Sequence, residues 1–492
     1  MMLETLLSED IYRHKNGLKH INIVDNSGFS ALFVVNTPIF DNSGVAHGVE
    51  HFVFRGSKAF PKPETLFQLL SLTDVKINAS TLAQTTHFHC QSQCRHTFKL
   101  AINYLLNGLF NPVFTDTDLQ YEIHDGDEKG VIYRELLGVE QAEKGNNKNS
   151  AKKDKSSEIS YGGISTSIGE LSINDLTHFH QRFYQADNIT LVTANADVKE
   201  IANIVASLPK PSSELNKVAI ALEEYSTNAH NIDANEQDST KYSPEINKLI
   251  TLYHSWLQDP YYQEIDDYNE VESSSKQVLI NSDTSLTSAS RHLIPALAML
   301  SSKLVAQRDK TFLVNSDEKE FTHKTVLPKL FSNLYQEAKI QLESTVLNQS
   351  SEHVYVNDQN NGLWLAKINA EGKILANITS YIISAYPKFL AHRYEGNCYA
   401  TQALVIDNSK YLAIYSAFDV TPDTYLDNIA QCLLSLSQDD AFISMSLALA
   451  KIKYCRLYQV QYNQAQYNQV QYDQVMSITS TQIATYLKNH IT

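Results

Sequence analysis

The sequence lacks any long apolar run and has few cysteines, and both shortages limit what the protein can be. No stretch approaches the ~20 consecutive apolar residues that cross a bilayer, so we expect no membrane partner. The five cysteines are odd in number and scattered, which indicates free thiols in a reducing compartment. Residues 1–17 carry acids where a secretory or organellar leader needs basic residues. We therefore expect a cytoplasmic protein.

Basic residues are also scarce. The 492 residues include 40 Lys and Arg against 55 Asp and Glu, which gives a formal net charge of −15. Such a surplus repels phosphate backbones, so nucleic acid is not an expected partner. Plain solubility and an acidic lining for basic peptides both explain the charge. The length predicts more than one domain, and 43% apolar residues are enough for sizeable cores.

Polar composition predicts the domain organisation. The stretch 209–244 begins Pro-Lys-Pro-Ser-Ser and is mostly polar, as is typical of a linker. It would separate an N-terminal domain, 1–208, from a C-terminal domain, 245–492. Residues 145–158 are basic, polar and without periodicity, which predicts a loop. The Gln and Tyr repeat at 461–475 favours a surface helix, with aggregation or partner binding as the alternative.

Local patterns predict several elements. Alternation over 18–37 around Asn26-Ser27-Gly28 predicts a hairpin of two strands. Asp41-Asn42-Ser43 and Gly56 are suited to begin and end a helix between them. A further helix is predicted over 127–144. Two more strands are predicted over 188–195 and 410–418.

The helix before Gly56 carries the spacing His47-x-x-Glu50-His51. Histidines four residues apart lie on one helical face, so both imidazoles can reach one metal ion. A catalytic zinc site needs such ligands and an open position for water. Glu50 then suits a general base, while zinc lowers the pKa of the attacking water. The pentapeptide alone is also compatible with a solvated helix that carries incidental histidines.

A third ligand must come from another helix. The segment GDEKGVIYRELLG offers Glu128 and Glu135, seven residues apart and thus on one helical face. Glu135 is the candidate ligand, and Glu128 would orient a ligand histidine from behind. An ordinary amphipathic helix with exposed acids has the same pattern.

The motifs together resemble the pitrilysin or insulinase (M16) family of zinc peptidases, and especially its presequence-protease branch. The resemblance covers almost all of residues 14–200. The segments that carry it include HKNGLKHINI, NTPIFDNSGVAHGVEHFVFRGSKAFP, INAST, EKGVIYRELLG and FHQRFYQADNITLV. It implies one Zn²⁺ per chain, with His47, His51 and Glu135 as ligands, Glu50 as base and Glu128 as supporting acid.

The resemblance also implies how substrate is held. Asn78 and Ala79, in INAST, would lie on an edge strand to which the substrate backbone adds as a further strand. Arg393 and Tyr399, in AHRYEGNCYAT, match the family's catalytic arginine and tyrosine, which would hydrogen-bond the carbonyl oxygen as it becomes an oxyanion. The surrounding glycines of that family motif are replaced here, so an ordinary packed Arg and Tyr remains open.

Another group of possible ligands follows the INAST segment. The cluster is dense enough to suggest a second metal site, and its members are His87, His89, Cys90, Cys94 and His96. Strand alternation, however, puts the two histidines on the face opposite Cys90, and the family has no metal here. We therefore predict a plain strand.

The family predicts an α+β fold with two tandem domains of the pitrilysin or processing-peptidase type. Each domain would be a mainly antiparallel sheet with helices packed on it. Full-size members carry four such domains, so we expect two chains to pair, with the second domain of one completing the zinc site of the other. The predicted activity is hydrolysis of unfolded oligopeptides inside a closed chamber. The alternative is a zinc-bearing or inactive subunit of a heterodimer that acts as a structural partner.

Overall fold

Two β-sheets with helices packed against them form the described part of the chain in a computed structural model. The structure describes residues 5–8, 11–24, 28–146, 159–209, 244–257, 334, 338, 352–357, 359–368, 372–406, 411–457 and 466–489. The predicted α+β class is confirmed. Most of the predicted linker 209–244, and most of the predicted loop 145–158, lie outside the described residues.

The first sheet has seven strands in the order β1-β2-β3-β7-β4-β6-β5. Only the β3–β7 pair is parallel; the other pairs are antiparallel. β4 is buried along nearly its whole length, as expected for an apolar run in the centre of a sheet. The strands are β1 (Thr5–Ser8), β2 (Ile11–Arg13), β3 (Lys19–Ile23), β4 (Phe29–Asn36), β5 (Lys76–Thr81), β6 (Thr85–Ser92) and β7 (Ile189–Ala194).

The hairpin predicted over 18–37 is wrong in its pairing. Both strands form, but β7 lies between β3 and β4 and is hydrogen-bonded to each. Alternation predicts that a strand exists but not its neighbour, and here a strand more than 150 residues away in sequence takes the central place. The strand predicted over 188–195 is thus confirmed as β7, whose side chains are all buried.

The helices of the N-terminal half pack mainly on one face of this sheet. They are α1 (Val45–Arg55), α2 (Thr65–Leu72), α3 (Arg95–Phe110), α4 (Asp116–Glu122), α5 (Val131–Asn146), α6 (Ser165–Ile168), α7 (Ile173–Phe183), α8 (Val198–Val205) and α9 (Pro244–Leu257). α9 lies on the opposite face, where Leu249 and Tyr253 join a cluster with Ile21 and Val192. This helix follows the predicted linker but packs on the first sheet; the predicted domain bounds stay a prediction.

The second sheet has four antiparallel strands in the order β10-β11-β9-β8. Its strands are β8 (Glu352–Val356), β9 (Gly362–Lys367), β10 (Ala400–Ile406) and β11 (Tyr411–Ala417), and β11 confirms the strand predicted over 410–418. The helices of this half are α10 (Lys373–Ala385), α11 (Pro387–Tyr394), α12 (Pro422–Asp427), α13 (Ile429–Ser437), α14 (Asp440–Leu457), α15 (Gln466–Ser477) and α16 (Ser480–Asn489). The Gln and Tyr repeat is helical from Gln466 onward.

The two halves share one apolar cluster, which includes Phe33 from the first sheet and Ile414 from the second. Polar contacts also join them. Arg134 of α5 donates Nε to the carbonyl of Phe418 (2.8 Å) and Nη2 to that of Asp419 (3.0 Å). Gly130 N donates to the carbonyl of Gly396 at 3.0 Å. These contacts bring the end of β11 and the start of β10 against α5. No helix among the described residues is long and apolar enough to span a bilayer.

Candidate metal centre and active site

The helix α1 carries the histidines as predicted, and its first turn is fixed by a close glycine contact. Gly44 precedes the helix with φ of 75°, a left-handed conformation that favours glycine. A Cβ at this position would meet Ile168 Cδ1 at 2.6 Å and the carbonyl of Gly162 at 2.9 Å. The loop 160–163 can therefore pack directly on the start of α1. The helix ends at Arg55, before Gly56, as predicted.

The structure brings His47, His51 and Glu135 together. Glu135 Oε2 lies 3.7 Å from His47 Nε2 and 3.8 Å from His51 Nε2. One ligand-type atom from each residue lies within 4.8 Å of the other two. The first two residues come from one face of α1, and the third comes from α5, which confirms that a second helix supplies the acid.

Each imidazole is oriented by a hydrogen bond at Nδ1, the nitrogen that does not face Glu135. His47 Nδ1 donates to the carbonyl of Gly162 at 3.0 Å, and His51 Nδ1 donates to Glu122 Oε2 at 3.0 Å. With Nδ1 held in this way, Nε2 of each ring faces Glu135. Ligand histidines in metal sites are held in this way, because the second hydrogen bond fixes the tautomer and the ring orientation.

The carboxylate of Glu135 provides a test of whether a cation fits here. Its Oε2 atom is buried and has no hydrogen-bond partner among the described residues. An unpaired buried oxygen is costly, by roughly 1–3 kcal/mol or more for a charged group. The two Nε2 atoms, at 3.7 and 3.8 Å, lie beyond hydrogen-bond distance of it. A divalent cation between the three atoms would satisfy all of them, so the residues present fit a metal ion.

Glu50 lies beside this cluster and is buried. Thr81, the last residue of β5, donates its hydroxyl to Glu50 Oε2 at 2.5 Å. Burial raises the pKa of Glu50, although the charges of His47 and His51 oppose that rise. The carboxylate is therefore held between the imidazole pair and the edge strand.

β5 is the edge strand that was predicted to hold Asn78 and Ala79. Among the described strands it pairs with β6 alone, where Asn78 lies opposite His89 and Ala79 opposite Phe88. The side chain of Asn78 is exposed, and Thr81 at the end of the strand contacts Glu50. An exposed edge offers backbone groups to which an extended peptide can pair.

Glu128 was wrongly predicted to support a ligand histidine. It lies before α5, which begins only at Val131, and its side chain is exposed. The seven-residue spacing therefore does not place it on a helical face with Glu135. The acid that contacts His51 is Glu122, at the end of α4.

The packing of α4 against α1 places Glu122 at His51. On α1, Arg55 follows His51 by one turn; on α4, Glu122 follows Asp118 by one turn. Arg55 donates to Asp118 Oδ1 at 2.7 Å and to Glu122 Oε1 at 3.1 Å. The spacing places each pair on one face of its own helix, but no signal in the sequence indicates that α1 meets α4, so sequence reasoning could not identify Glu122.

Arg393 reaches the same carboxylate from the C-terminal half. Its Nη1 donates to Glu122 Oε1 at 3.0 Å, next to the contact from Arg55. Burial would raise the pKa of Glu122, but the charge of Arg393, the hydrogen bond from His51 and the charge of Arg55 outweigh it and hold that pKa well below its usual range. Arg393 thus contacts the acid behind a candidate ligand, whereas a direct contact with the substrate carbonyl was predicted.

Tyr399 lies at the cluster of its own chain. The charge of Glu135 and burial raise the pKa of its phenol, with a further contribution from Glu50, so the hydroxyl remains protonated. Within this chain Arg393 and Tyr399 thus lie near Glu122 and Glu135 of the same chain, and the expectation that they serve the site of a second chain stays a prediction. Residue type and spacing could not distinguish the two arrangements, because that depends on how the halves pack.

The histidines of β6 have a packing role. Trp256 Nε1 donates to His87 Nδ1 at 3.1 Å, and the ring of His89 stacks on the indole with centroids 4.0 Å apart. Cys90 points the other way, into the main apolar cluster. The predicted alternation is confirmed: the histidines face α9 and Cys90 faces the core. Burial lowers the pKa of His87 to about 4 and that of His89 to about 3, so both are neutral near pH 7.

Several proteins of known sequence match part of this chain. An uncharacterized protein of Saccharomyces cerevisiae is 25% identical over 265 residues, which cover 51% of this chain and 26% of the yeast protein. The mitochondrial presequence protease of Danio rerio is 28% identical over 185 residues, or 34% of this chain and 18% of that protein. Presequence protease 1 of Arabidopsis thaliana is 26% identical over 196 residues, which cover 36% of this chain and 18% of the plant protein. The matches span about a quarter or less of these relatives' length.

Solved structures overlap with the chain only loosely. The periplasmic protease PqqL from Escherichia coli has a TM-score of 0.34 and 12% identity, covering 99% of this chain and 47% of that one. A putative M16-like peptidase from Alicyclobacillus acidocaldarius has a TM-score of 0.33 and 12% identity. The overlap covers 100% of this chain and 97% of that chain. No conclusion rests on these overlaps.

The family assignment comes from the sequence matches. The family model described as Insulinase (Peptidase family M16) matches residues 40–144, which contain both histidines of α1 and Glu135. The presequence proteases of fish and plant match 34% and 36% of the chain. The resemblance seen in the motifs is thus confirmed, and residues 40–144 are similar to the insulinase (M16) peptidases.

Proposed function

We propose that this chain is a zinc metalloendopeptidase in which His47, His51 and Glu135 hold the catalytic zinc. The observation that carries the proposal is the buried, unpaired Glu135 Oε2, which lies 3.7–3.8 Å from both Nε2 atoms. Ligand atoms at usual zinc distances are separated by about 3.3–3.7 Å in a tetrahedron, so little movement is needed. When bound, zinc would supply a Lewis acid that lowers the pKa of water and polarises a peptide carbonyl.

Glu50 would act as the general base. Its carboxylate is fixed by Thr81 and lies beside the imidazole pair, within the same pocket as the proposed ligands. Burial favours its neutral form, so after taking a proton from water it can hold that proton and pass it to the leaving amine. The two tasks need one group that both accepts and donates a proton, and burial raises the pKa of Glu50 in the direction that lets it hold the proton.

The edge strand β5 would bind the substrate backbone. The contact between Thr81 and Glu50 places the end of this strand at the base, so a peptide added along residues 76–81 would run past the proposed zinc site. A folded protein cannot pair in this way, because its own backbone groups are already hydrogen-bonded. We therefore propose that unfolded oligopeptides are the substrates and that Asn78 and Ala79 contact their main chain.

Tyr399 would donate its phenolic hydrogen to the carbonyl oxygen as negative charge develops there. The charges of Glu135 and Glu50 keep the phenol protonated, which a donor requires. Arg393 has a different task in this proposal. It holds Glu122, which orients His51, and so supports the ligand set from the C-terminal half.

The test combines metal analysis with digestion of an unstructured peptide. Glu50→Gln should keep its zinc and lose nearly all turnover, because the ligands remain while the base is gone. Glu135→Ala should lose one equivalent of zinc together with activity. The exposed Glu128→Gln serves as the matched control and should change neither. Full turnover in Glu50→Gln would contradict the assigned base.

The closed chamber and the pairing of chains belong to the same proposal. A stably folded domain should resist cleavage, and the same domain should be consumed once unfolded; rapid cleavage of the folded form would rule out a chamber. Mixed dimers of Glu50→Gln and Tyr399→Phe subunits should stay inactive, because each site contains one defect if Tyr399 serves its own chain. Recovered activity in such dimers would show that Tyr399 acts across the dimer.

A further inference from the structure

A second group of metal-binding side chains lies in the C-terminal half. It consists of His392, Cys398 and Asp419, and we refer to it as the C-terminal cluster. His392 is in the last turn of α11, Cys398 comes just before β10, and Asp419 follows β11. One ligand-type atom from each lies within 4.8 Å of the other two. Within the residues that the structure describes, this is the one such group besides His47, His51 and Glu135.

Backbone hydrogen bonds fix the three segments relative to one another. Asn397 N donates to the carbonyl of His392 at 3.1 Å, and Val420 N donates to that of Asn397 at 2.9 Å. Tyr399 N donates to the carbonyl of Ala417 at 2.9 Å. The cluster is therefore built on rigid elements that meet at one end of the second sheet, as a preorganised site requires.

The backbone at Phe418 turns Asp419 into this cluster. Phe418 has φ of 48°, in the left-handed region that is uncommon for a residue with a side chain. The conformation is held from both sides: Asn361 Oδ1 accepts from Phe418 N at 3.0 Å, and Arg134 Nε donates to its carbonyl. Strained residues that are held so firmly concentrate at functional sites.

The side-chain geometry is close to that of a metal site. His392 Nε2 lies 2.7 Å from Asp419 Oδ2, which also accepts from the hydroxyl of Ser416. Tetrahedral zinc separates nitrogen and oxygen ligands by about 3.3 Å, so these two atoms need to part by roughly 0.6 Å. The imidazole of His392 is stacked on Tyr425, with centroids 4.0 Å apart and planes 9° apart. This stacking fixes the plane in which the nitrogen lone pair lies.

Charge and chemistry also favour a divalent cation. Asp419 and Cys398 are fully buried. A carboxylate and a thiolate together match the charge of one divalent cation. Thiolate and imidazole select zinc over magnesium or calcium, which prefer oxygen ligands.

We propose that His392, Cys398 and Asp419 bind a second, structural zinc ion. The site would stabilise the end of α11, where Arg393 follows the ligand His392, and the segment before β10, where Tyr399 follows the ligand Cys398. Binding would release the thiol proton of Cys398 to solvent, and a neutral His392 ring would bind through Nε2 and carry its proton on Nδ1. The competing explanation is a hydrogen-bonded cluster that binds no metal.

Metal content distinguishes a second zinc ion from a hydrogen-bonded cluster that binds no metal. The proposed catalytic site can be abolished separately by substituting Glu135. Purified wild-type protein should contain two equivalents of zinc, whereas Glu135→Ala and Cys398→Ser should each contain one. The double variant should contain none. If Glu135→Ala contains none and takes up none on dialysis against zinc, the second site does not exist. If Glu135→Ala keeps both equivalents, the catalytic assignment fails while the second site stands.

Cobalt substitution tests the thiolate directly. Cobalt bound to a thiolate gives a near-ultraviolet charge-transfer band that nitrogen and oxygen ligands alone do not give. The band should appear in the cobalt form of Glu135→Ala, persist when Cys94→Ser is added as a matched control, and vanish when Cys398→Ser is added. Absence of the band in cobalt-loaded Glu135→Ala would overturn the proposal without relying on any variant of the cluster itself.

Discussion

The contact between Arg393 and Glu122 makes one substitution especially informative. Arg393 and Arg55 both donate to Glu122 Oε1, at 3.0 and 3.1 Å, while Glu122 Oε2 accepts from His51. In Arg393→Met a side chain of similar length keeps much of the packing and removes the charge. Glu122 then retains one of its two guanidinium partners, and its hold on His51 weakens.

The expected magnitude follows from these contacts. A hydrogen bond to a charged group contributes roughly 1.5–3 kcal/mol, and removing one partner of a buried ion pair costs about 3–5 kcal/mol when the other charge is left alone. Because Arg55 remains, we expect the free energy of unfolding to fall by about 2 kcal/mol. Substitutions behind a ligand histidine typically weaken metal binding by about 10–100-fold. Arg393 acts on His51 only through Glu122, so we expect Arg393→Met to weaken zinc binding about tenfold, the lower end of this range.

Zinc affinity is measured by competition with a chelator near pH 7, in the Cys398→Ser background so that only the proposed catalytic site is observed. Glu122→Gln should weaken binding at least as much as Arg393→Met. The double variant should then lose less than the sum of the two losses, because both act on one contact. Unchanged zinc affinity in Arg393→Met, together with a fall in kcat, would refute this reasoning and support a direct contact with the substrate carbonyl.

Three other predictions follow from the described contacts. Thr81→Val should lower kcat about tenfold without loss of zinc, since it removes the hydroxyl that fixes Glu50; unchanged kcat would contradict that role. Gly44→Ala should lower the free energy of unfolding by at least about 1–2 kcal/mol in urea titrations, because φ is positive and the space is filled. The pKa of His87 is about 4 when folded and 6.5 when unfolded, so the unfolded chain binds more protons as the pH falls. Stability should fall by up to about 3 kcal/mol between pH 6.5 and 4, followed by Trp256 fluorescence, with a shallower slope in His87→Asn.

The sequence was most informative where the signal is local. Helical spacing places His47, Glu50 and His51 on one helix whatever the tertiary fold, and Gly56 marks where that helix ends. The structure confirms α1 for this reason. The predicted capping residues Asp41-Asn42-Ser43 were wrong, because Gly44 holds the N-cap position. Glu135 was predicted because a third ligand must lie on another helix, and the sequence around Glu135 has a helical pattern.

Contacts between distant elements could not be predicted in this way. The strand β7 lies between β3 and β4 because the whole sheet buries its apolar residues best in that order, which no window of sequence reports. Glu128 and Glu122 are both acids near Glu135 in sequence. Only the packing of α4 against α1 decides that Glu122 contacts His51 and that Glu128 remains in solvent.

The position of Glu122 explains why both halves of the chain would matter to a metal site whose proposed ligands all lie in one half. The carboxylate orients His51, and it is held in turn by Arg55 from α1 and by Arg393 from α11. Any change in how the halves pack alters the field at Glu122 before it alters a ligand. The C-terminal cluster lies one residue from Arg393, so a metal ion bound there would stabilise the same contact. Ligand orientation at the first site thus depends on packing at the end of the second sheet.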